Sequence, residues 1–274
     1  MIKKILKKLN TLRNLDWNWA WRYYKKHLVK YASYYFSKIS GREFWDVNVD
    51  GVNLKMSFSH PYHHLFAHNI HKGTHETNLL IMWKKKCEEA DGVILDLGAY
   101  SGIFGLLAAK ANSKSEVFMI EPDSINVRHI KNNIVLNNLT NAHAIKAVVS
   151  DKIGAVSFKE AEGATSGNII QGGSGELEVL SITLDDWAEK NKKIPTLIKC
   201  DVEGAELRTL IGAKKILSES KNLNILLEVH YNFLKRFGDT EEELWSFLKS
   251  LGYNAIWLDQ DQFNRHYWVW RELT

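Results

Sequence analysis

From residue 79 to the end of the chain, short unbroken apolar runs alternate with amphipathic segments at helical spacing. "LLIMWKKKCEEA" reads as a helix, "GVILDLG" as a strand and "GIFGLLAAKAN" as a helix. The strand "EVFMIEP", the helix "SINVRHIKNNIVLNN" and the strand "AHAIKAVV" follow. After residue 183 come a short helix at 184–191, the strand "TLIKCD", a helix over about 204–218 and the strand "LNILLEVH". The helix "TEEELWSFLKSL" opens with Thr240 and Glu243 at capping-box spacing. Two strands, "YNAIWLD" and "HYWVWRE", close the chain with no helix between them. Strands that are apolar throughout must be covered on both faces, so the repeat predicts an α/β fold with a mostly parallel, doubly wound sheet. The last two strands predict an antiparallel pair at one edge.

Three segments depart from this rhythm. Residues 43–58, "EFWDVNVDGVNLKMSF", alternate around Asp50-Gly51, a hairpin signal. "HPYHHLFAHNIHKGTHE" holds six of the chain's 11 histidines and reads as a polar entry loop. It lacks the His-Glu-x-x-His pattern or paired cysteines of a specific metal site, so no metal is expected there. The glycine-rich "EGATSGNIIQGGSGE", between strand-like "GAVSF" and "LEVLSI", reads as a flap or hairpin, because no helix start follows its glycines.

Charge separates the chain into two devices. Residues 1–42 carry 11 Lys/Arg against one acid, Asp16, a net +10, whereas the other 232 residues sum to −6. The first segment places Ile2, Ile5, Leu6, Leu9 and Leu12 at helical spacing among lysines, then interleaves Trp, Tyr and Phe with more lysines. Such a helical extension suits contact of residues 1–40 with an anionic membrane surface, or covers the body with its aromatics. The expected division is 1–42 as this extension and 43–274 as the catalytic domain, with 43–78 the hairpin and entry segment and 79–274 its core. No apolar run reaches the length of a spanning helix, and the lysine-broken start predicts no signal peptide. Two cysteines, Cys87 and Cys200, point to a reducing, cytoplasmic setting with at most peripheral contact at the membrane's inner face.

In such sheets ligands bind beyond the carboxyl ends of the strands, where strand order reverses. Strand one ends at Asp96, and Gly98, Gly102 and Gly105 lead into the next helix. That spacing differs from the Gly-x-Gly-x-x-Gly of pyrophosphate binders, and an acid at the strand tip repels phosphate. It suits S-adenosylmethionine, which has an ammonium group and no phosphate. Glu121, at the tip of strand two, can accept both hydroxyls of a ribose. Ile120 and Pro122 can flank an adenine, although a Glu after a strand also serves as an ordinary helix-start residue.

"VILDLGAYSGIF", "FMIEPDSINVRHIKNNIVLNN", "AIKAVVSDKIGAVSF", "SITLDDW", "LIKCDVEGAELRTLIGA" and "LLEVH" together resemble the FkbM family of class I S-adenosylmethionine-dependent methyltransferases, over roughly residues 73–258. The resemblance implies a seven-stranded sheet of order 3-2-1-4-5-7-6 with strand seven antiparallel. It implies methyl transfer to a hydroxyl of a sugar, a glycolipid or polysaccharide precursor, or a secondary metabolite. It places Asp96, Gly98, Ala99, Tyr100, Ser101 and Gly102 around the methionine end and Glu121 on the ribose, with Pro122 and Val148 nearby, and matches Glu76 to an upstream acidic position. Tyr100 stands where the family usually has asparagine, which alters the loop's polar contacts.

Asp201, ending strand four beside strand one, is expected close to the reacting methyl and counts as both cofactor-binding and catalytic. An acceptor hydroxyl there needs a base. His230 is the first choice, because an unperturbed histidine titrates near working pH. Asp201 is the second, or the group that orients base or acceptor, and Glu203 contacts substrate or cofactor or favours the helix start. Glu206 is expected on the helix surface. A divalent metal on Asp201 and Glu228 is a weaker alternative. Nucleic-acid methylation is disfavoured, since "DVEG" replaces the Asn/Asp-Pro-Pro-aromatic turn of base-amino methyltransferases and the body is acidic. A non-catalytic scaffold would lack cofactor binding, and a dehydrogenase would need the other glycine spacing.

Overall fold

The computed structural model describes residues 31–58, 60–159, 168–169, 177–260 and 265–271. The Asp50-Gly51 pair closes a hairpin of β1 (Phe44–Val49) and β2 (Val52–Ser57), both turn residues having positive φ, as a two-residue turn requires. Helices α1 (Pro61–His71) and α2 (Thr77–Glu89) lead to the central repeat. That repeat runs β3 (Val93–Leu97), α3 (Ile103–Ala111), β4 (Glu116–Glu121), α4 (Ser124–Leu136) and β5 (Ala142–Lys146). After an excursion it resumes with α5 (Leu184–Asn191), β10 (Pro195–Cys200), α6 (Glu206–Ile211), α7 (Lys214–Glu219) and β11 (Asn224–Val229). The chain closes with α8 (Tyr231–Leu234), a 3₁₀ turn, α9 (Glu241–Ser250), β12 (Tyr253–Gln260) and β13 (Arg265–Arg271).

The seven-stranded sheet has the order β5-β4-β3-β10-β11-β13-β12. Counted in chain order within the sheet this is 3-2-1-4-5-7-6, as expected, with β13 antiparallel to both neighbours. Alternate strand residues feed two cores. Leu95, Leu97, Ile120, Ile198 and Leu227 pack under α5–α7 and α9, whereas Ile94, Met119, Leu197 and Leu226 pack under α2, α3 and the hairpin. The α9 capping box is formed, Thr240 accepting from the Glu243 amide and Glu243 from the Thr240 amide.

Three expected elements differ. "AHAIKAVV" is not one strand, because the chain leaves the main sheet after Lys146. β6 (Val148–Val149) instead pairs with β9 (Leu177–Ile182), which pairs antiparallel with β7 (Gly154–Lys159). β8 (Asn168–Ile169) joins the edge of this small sheet. The rest of the glycine-rich excursion and residues 1–30 of the basic extension lie outside the described residues. The helix expected over 204–218 is two helices broken at Gly212-Ala213. The chain presses against Ser150 there, whose carbonyl oxygen would sit 2.0 Å from a Cβ on Gly212, and the Gly212 carbonyl accepts from the Asp185 amide.

The histidine segment is helix α1, not a polar loop. Pro61 sits in its first turn behind an N-cap at His60. His63 is buried against His129 in a parallel stack, with centroids 3.9 Å apart, and pairs with Asn126 at 3.0 Å. His64, His68 and His71 recur along one side under Trp45. Burial lowers His63 and His64 to about 4, so both are neutral rings in the core.

Candidate active site

At the carboxyl edge of the sheet, a cavity of about 320 Å³ opens where β3, β4, β10 and β11 end. The sequence-predicted Glu76, Gly98, Ala99, Tyr100, Ser101, Glu121, Pro122, Val148, Asp201, Glu203 and His230 all line it. Asp96 and Gly102 do not. Asp96 is wholly buried beneath the loop, where one oxygen accepts the Gly105 amide at 2.9 Å and the other has no partner. Gly102 is the left-handed N-cap of α3, packed on Met119 and Ile130.

The loop after β3 is shaped by a backbone collision avoided. A Cβ on Gly98 would lie 1.8 Å from the Asp201 carbonyl oxygen, and its φ is +71°. Gly98 therefore lets the exits of β3 and β10 touch, which brings Asp201 to the cavity. Three non-glycine residues in the wall, Glu76, Tyr100 and Glu203, also hold φ between +46° and +53°. Backbone in this sparsely allowed region is retained where its surroundings fix it, commonly at binding sites.

Glu121 organises the opposite wall. Its Oε2 accepts the Tyr100 amide at 2.9 Å, and its Oε1 accepts the Asp123 amide at 3.0 Å and an Asn126 side-chain N–H at 3.3 Å. Burial pushes the carboxyl up to about 7, and these donors oppose that rise. Beside it, the Tyr100 hydroxyl and Ser101 Oγ are buried without partners. These orphaned polar atoms, the acidic wall and the apolar Ile120, Pro122 and Val148 fit a nucleoside cofactor with a polar amino-acid tail.

Along the cavity floor runs a charged row, of which the sequence reading missed Lys199 and His266. Asp96, Lys199, Glu228 and His266 occupy facing positions on β3, β10, β11 and β13: Asp96 opposes Lys199, and Glu228 opposes His266. Lys199 is 5% exposed, bonds Asp201 Oδ2 at 2.7 Å and lies over the Phe104 ring. Burial disfavours its charge, but Asp201, Asp96 and Glu228 outweigh this and raise its pKa. The same burial lifts Asp96 to about 6, although Lys199 opposes the rise. The signal was period two: in "LIKCD", Lys199 shares parity with core-facing Leu197.

Around His230 four carboxylates converge. Glu206, expected on a helix surface, is fully buried and bonds His230 Nδ1 at 2.8 Å. The same oxygen accepts the Gly204 amide, so the glutamate folds back under its own helix start. His230 Nε2 faces Glu228, Asp201 and Glu203 at 3.5, 3.7 and 3.7 Å. Burial lowers the imidazole's pKa, yet the Glu206 bond and the surrounding acids carry it up to about 9. That rise favours the protonated ring, so the expected base His230 has Asp201 and Glu203 beside it as competing proton acceptors. Glu203, lifted to about 7 by burial, and Asp201, also raised by burial, are the cavity-facing acceptors.

The strand order and an acid-lined cavity at its switch point define a class I methyltransferase fold. The chain matches the Methyltransferase FkbM domain over residues 96–255, and it belongs to that family, with S-adenosylmethionine as its cofactor. It is 31% identical over 156 residues to the ribosomal protein L11 methyltransferase of Ruminiclostridium cellulolyticum, covering 55% of this chain and 45% of that one. The chain thus spans less than half of that relative's length. Among solved structures it is similar to a precorrin-6y C5,15-methyltransferase from Geobacter metallireducens, with TM-score 0.45 and 12% identity over 72% of this chain and 88% of the other. It is also similar to a S-adenosylmethionine-dependent methyltransferase from Agrobacterium tumefaciens, with TM-score 0.44 and 14% identity over 84% and 70%.

Proposed function

We propose that this chain is an O-methyltransferase whose acceptor is a hydroxyl of a sugar, a glycolipid or polysaccharide precursor, or a secondary metabolite. One observation carries the reading: Asp201 and Glu203 share the cavity with Glu121 and stand beside the buried imidazole of His230. A hydroxyl must lose its proton during transfer, and this wall supplies carboxylates with raised proton affinity to take it. S-adenosylmethionine, when bound, supplies an electrophilic methyl group. Glu121 accepts the ribose hydroxyls, the Gly98–Gly102 loop holds the amino-acid end, and Glu76 closes that end from α2. Asp96 acts from below, fixing the loop through the Gly105 amide. His230, held by Glu206, steadies the acids and the negative charge that grows on the acceptor oxygen.

The helix over residues 31–39 leaves Tyr35, Phe36 and Ile39 exposed at 58%, 73% and 86%. Exposed apolar groups that follow a basic segment in the sequence support acceptors presented at an anionic membrane surface. No helix among the described residues is long and apolar enough to cross a membrane.

The test is release of S-adenosylhomocysteine from the full chain with a panel of glycolipid, polysaccharide and small hydroxylated acceptors. Turnover yielding an alkali-stable methyl ether supports the reading; methylation of nitrogen, carbon or nucleic acid alone overturns it. With a competent acceptor, Asp201→Asn and Glu203→Gln each lower kcat about 10²–10⁴-fold at unchanged cofactor affinity.

A further inference from the structure

The His230 cluster has the composition and spacing of a cation site. Nε2 of His230 and one carboxylate oxygen each from Asp201 and Glu203 lie within 4.8 Å of one another. A third carboxylate oxygen, Glu228 Oε1, sits 3.5 Å from Nε2. Adjacent donors held about 2.1 Å from an octahedral ion stand roughly 3.0 Å apart. The Nε2 separations of 3.5, 3.7 and 3.7 Å approach that spacing. They are longer than an ordinary hydrogen bond, and the ring is aimed between the acids.

A second observation is independent of the acids. His230 is 97% buried by its 3% exposure, and its other nitrogen is fixed by the fully buried Glu206. A carboxylate that takes the distal N–H of a histidine fixes the tautomer with Nε2 free to donate, the usual support behind a metal-binding imidazole. Glu206 is further anchored by the Gly204 amide, and a Cβ on Gly204 would lie 2.6 Å from Phe233, whose ring stacks on His230. The ring is clamped on its edge and on one face. Lys199 holds the far oxygen of Asp201, and His266 holds the far oxygen of Glu228. Each leaves its nearer oxygen directed at Nε2.

We propose that His230, Asp201 and Glu203, with Glu228 as a fourth donor, bind a divalent cation that holds the acceptor's hydroxyl oxygen. The cation takes the place of a proton on Nε2, since either one neutralises the facing carboxylates. One imidazole with several carboxylates matches Mn²⁺ or a similarly hard first-row ion better than soft, thiolate-seeking metals. Glu203 keeps its second oxygen toward the cavity for the acceptor's proton. Glu206 is a positioning residue, because it reaches the ion only through His230. The ion's role in holding the acceptor rests on the O-methyltransferase reading; the binding of the ion does not.

The test titrates Mn²⁺ into chelator-stripped full-length protein, read by loss of the free-ion electron paramagnetic resonance signal and by calorimetry. One site per chain is expected, weakened at least tenfold by Glu203→Gln and by His230→Ala, and about 10–100-fold by Glu206→Gln. Glu219→Gln, a surface change, leaves affinity as it was. Circular dichroism and S-adenosylhomocysteine affinity confirm that each variant is folded; should His230→Ala unfold, Glu203→Gln carries the test alone. No binding up to about 1 mM Mn²⁺, or equal binding in wild type and Glu203→Gln, overturns the proposal. Cofactor affinity measured in the stripped protein separates the two claims: its loss would refute the methyltransferase reading and leave the cation site to be judged by Mn²⁺.

Discussion

Cofactor affinity should depend on pH through Glu121, and the size of the effect follows from its surroundings. Its ordinary value of 4.5 rises to about 7 because the carboxylate is 6% exposed, against which three N–H donors work. Ribose hydroxyls donate to the ionised form and so select it. At pH 8 nearly every molecule is ready, whereas at pH 6 about one in eleven is, a tenfold loss in affinity or about 1.4 kcal/mol. Binding at pH 6 therefore releases close to one proton. The stability of the ligand-free protein follows the opposite sense. Between pH 4.5 and 7 the folded carboxyl retains a proton that the unfolded chain has lost, so its contribution is present below 4.5 and fades as pH rises through 7. The thermal shift given by S-adenosylhomocysteine should accordingly be larger at pH 8 than at pH 6. Calorimetry in two buffers of different ionisation enthalpy, from pH 5.5 to 8, reads both affinity and proton release. Glu121→Gln should weaken binding at pH 8 and flatten the slope, which separates Glu121 from Asp96 with its own raised value. Equal affinity at pH 6 and 8, or a slope that survives Glu121→Gln, would refute the assignment.

Other outcomes follow from the same geometry. Lys199→Met strands Asp96, Asp201 and Glu228 without their buried cation and should cost about 3–5 kcal/mol. That is a fall of roughly 10 °C in Tm by differential scanning fluorimetry, and a change under 2 °C would show that the row is not held by the lysine. Gly98→Ala forces the β3 and β10 exits apart; cofactor affinity should drop more than tenfold, and wild-type affinity would show that their contact is not needed. On vesicles of anionic phospholipid, the full chain should sediment while a chain lacking residues 1–40 stays in solution. Tyr35→Ser, Phe36→Ser and Ile39→Ser together should halve the bound fraction or more, and equal sedimentation of all three proteins would reject the membrane reading.

The central repeat was legible because a buried parallel strand has to be apolar throughout, so "VILDL", "EVFMIE" and "NILLEV" declare themselves. The edge pair β12 and β13 was legible because no crossover segment separates them. Glu121 and Asp201 could be found at strand tips, since an acid that ends an apolar run is conspicuous. What stayed hidden depends on contacts between distant segments. Lys199 and Glu206 look like solvent charges until the sheet sets Asp96 beside the first and α6 turns the second onto His230. The depth of Asp96 follows from Gly105, whose amide it accepts across nine residues. The rise in His230's pKa, against burial, follows from Glu206 on α6, Asp201 just past β10 and Glu228 on β11 jointly. The histidines of α1 were misjudged for a related reason: His63 and His64 are held below the usual histidine range by burial, beside His129 and Trp45 respectively.

The account stands on one arrangement, a ribose on Glu121 with the sulfur end directed at Asp201 and Glu203. A crystal structure with S-adenosylhomocysteine measures this directly. The ribose hydroxyls should lie within hydrogen-bond distance of Glu121, with the sulfur facing the His230 cluster across open space for an acceptor. A nucleoside seated away from Glu121, or a sulfur walled off from Asp201, would contradict it.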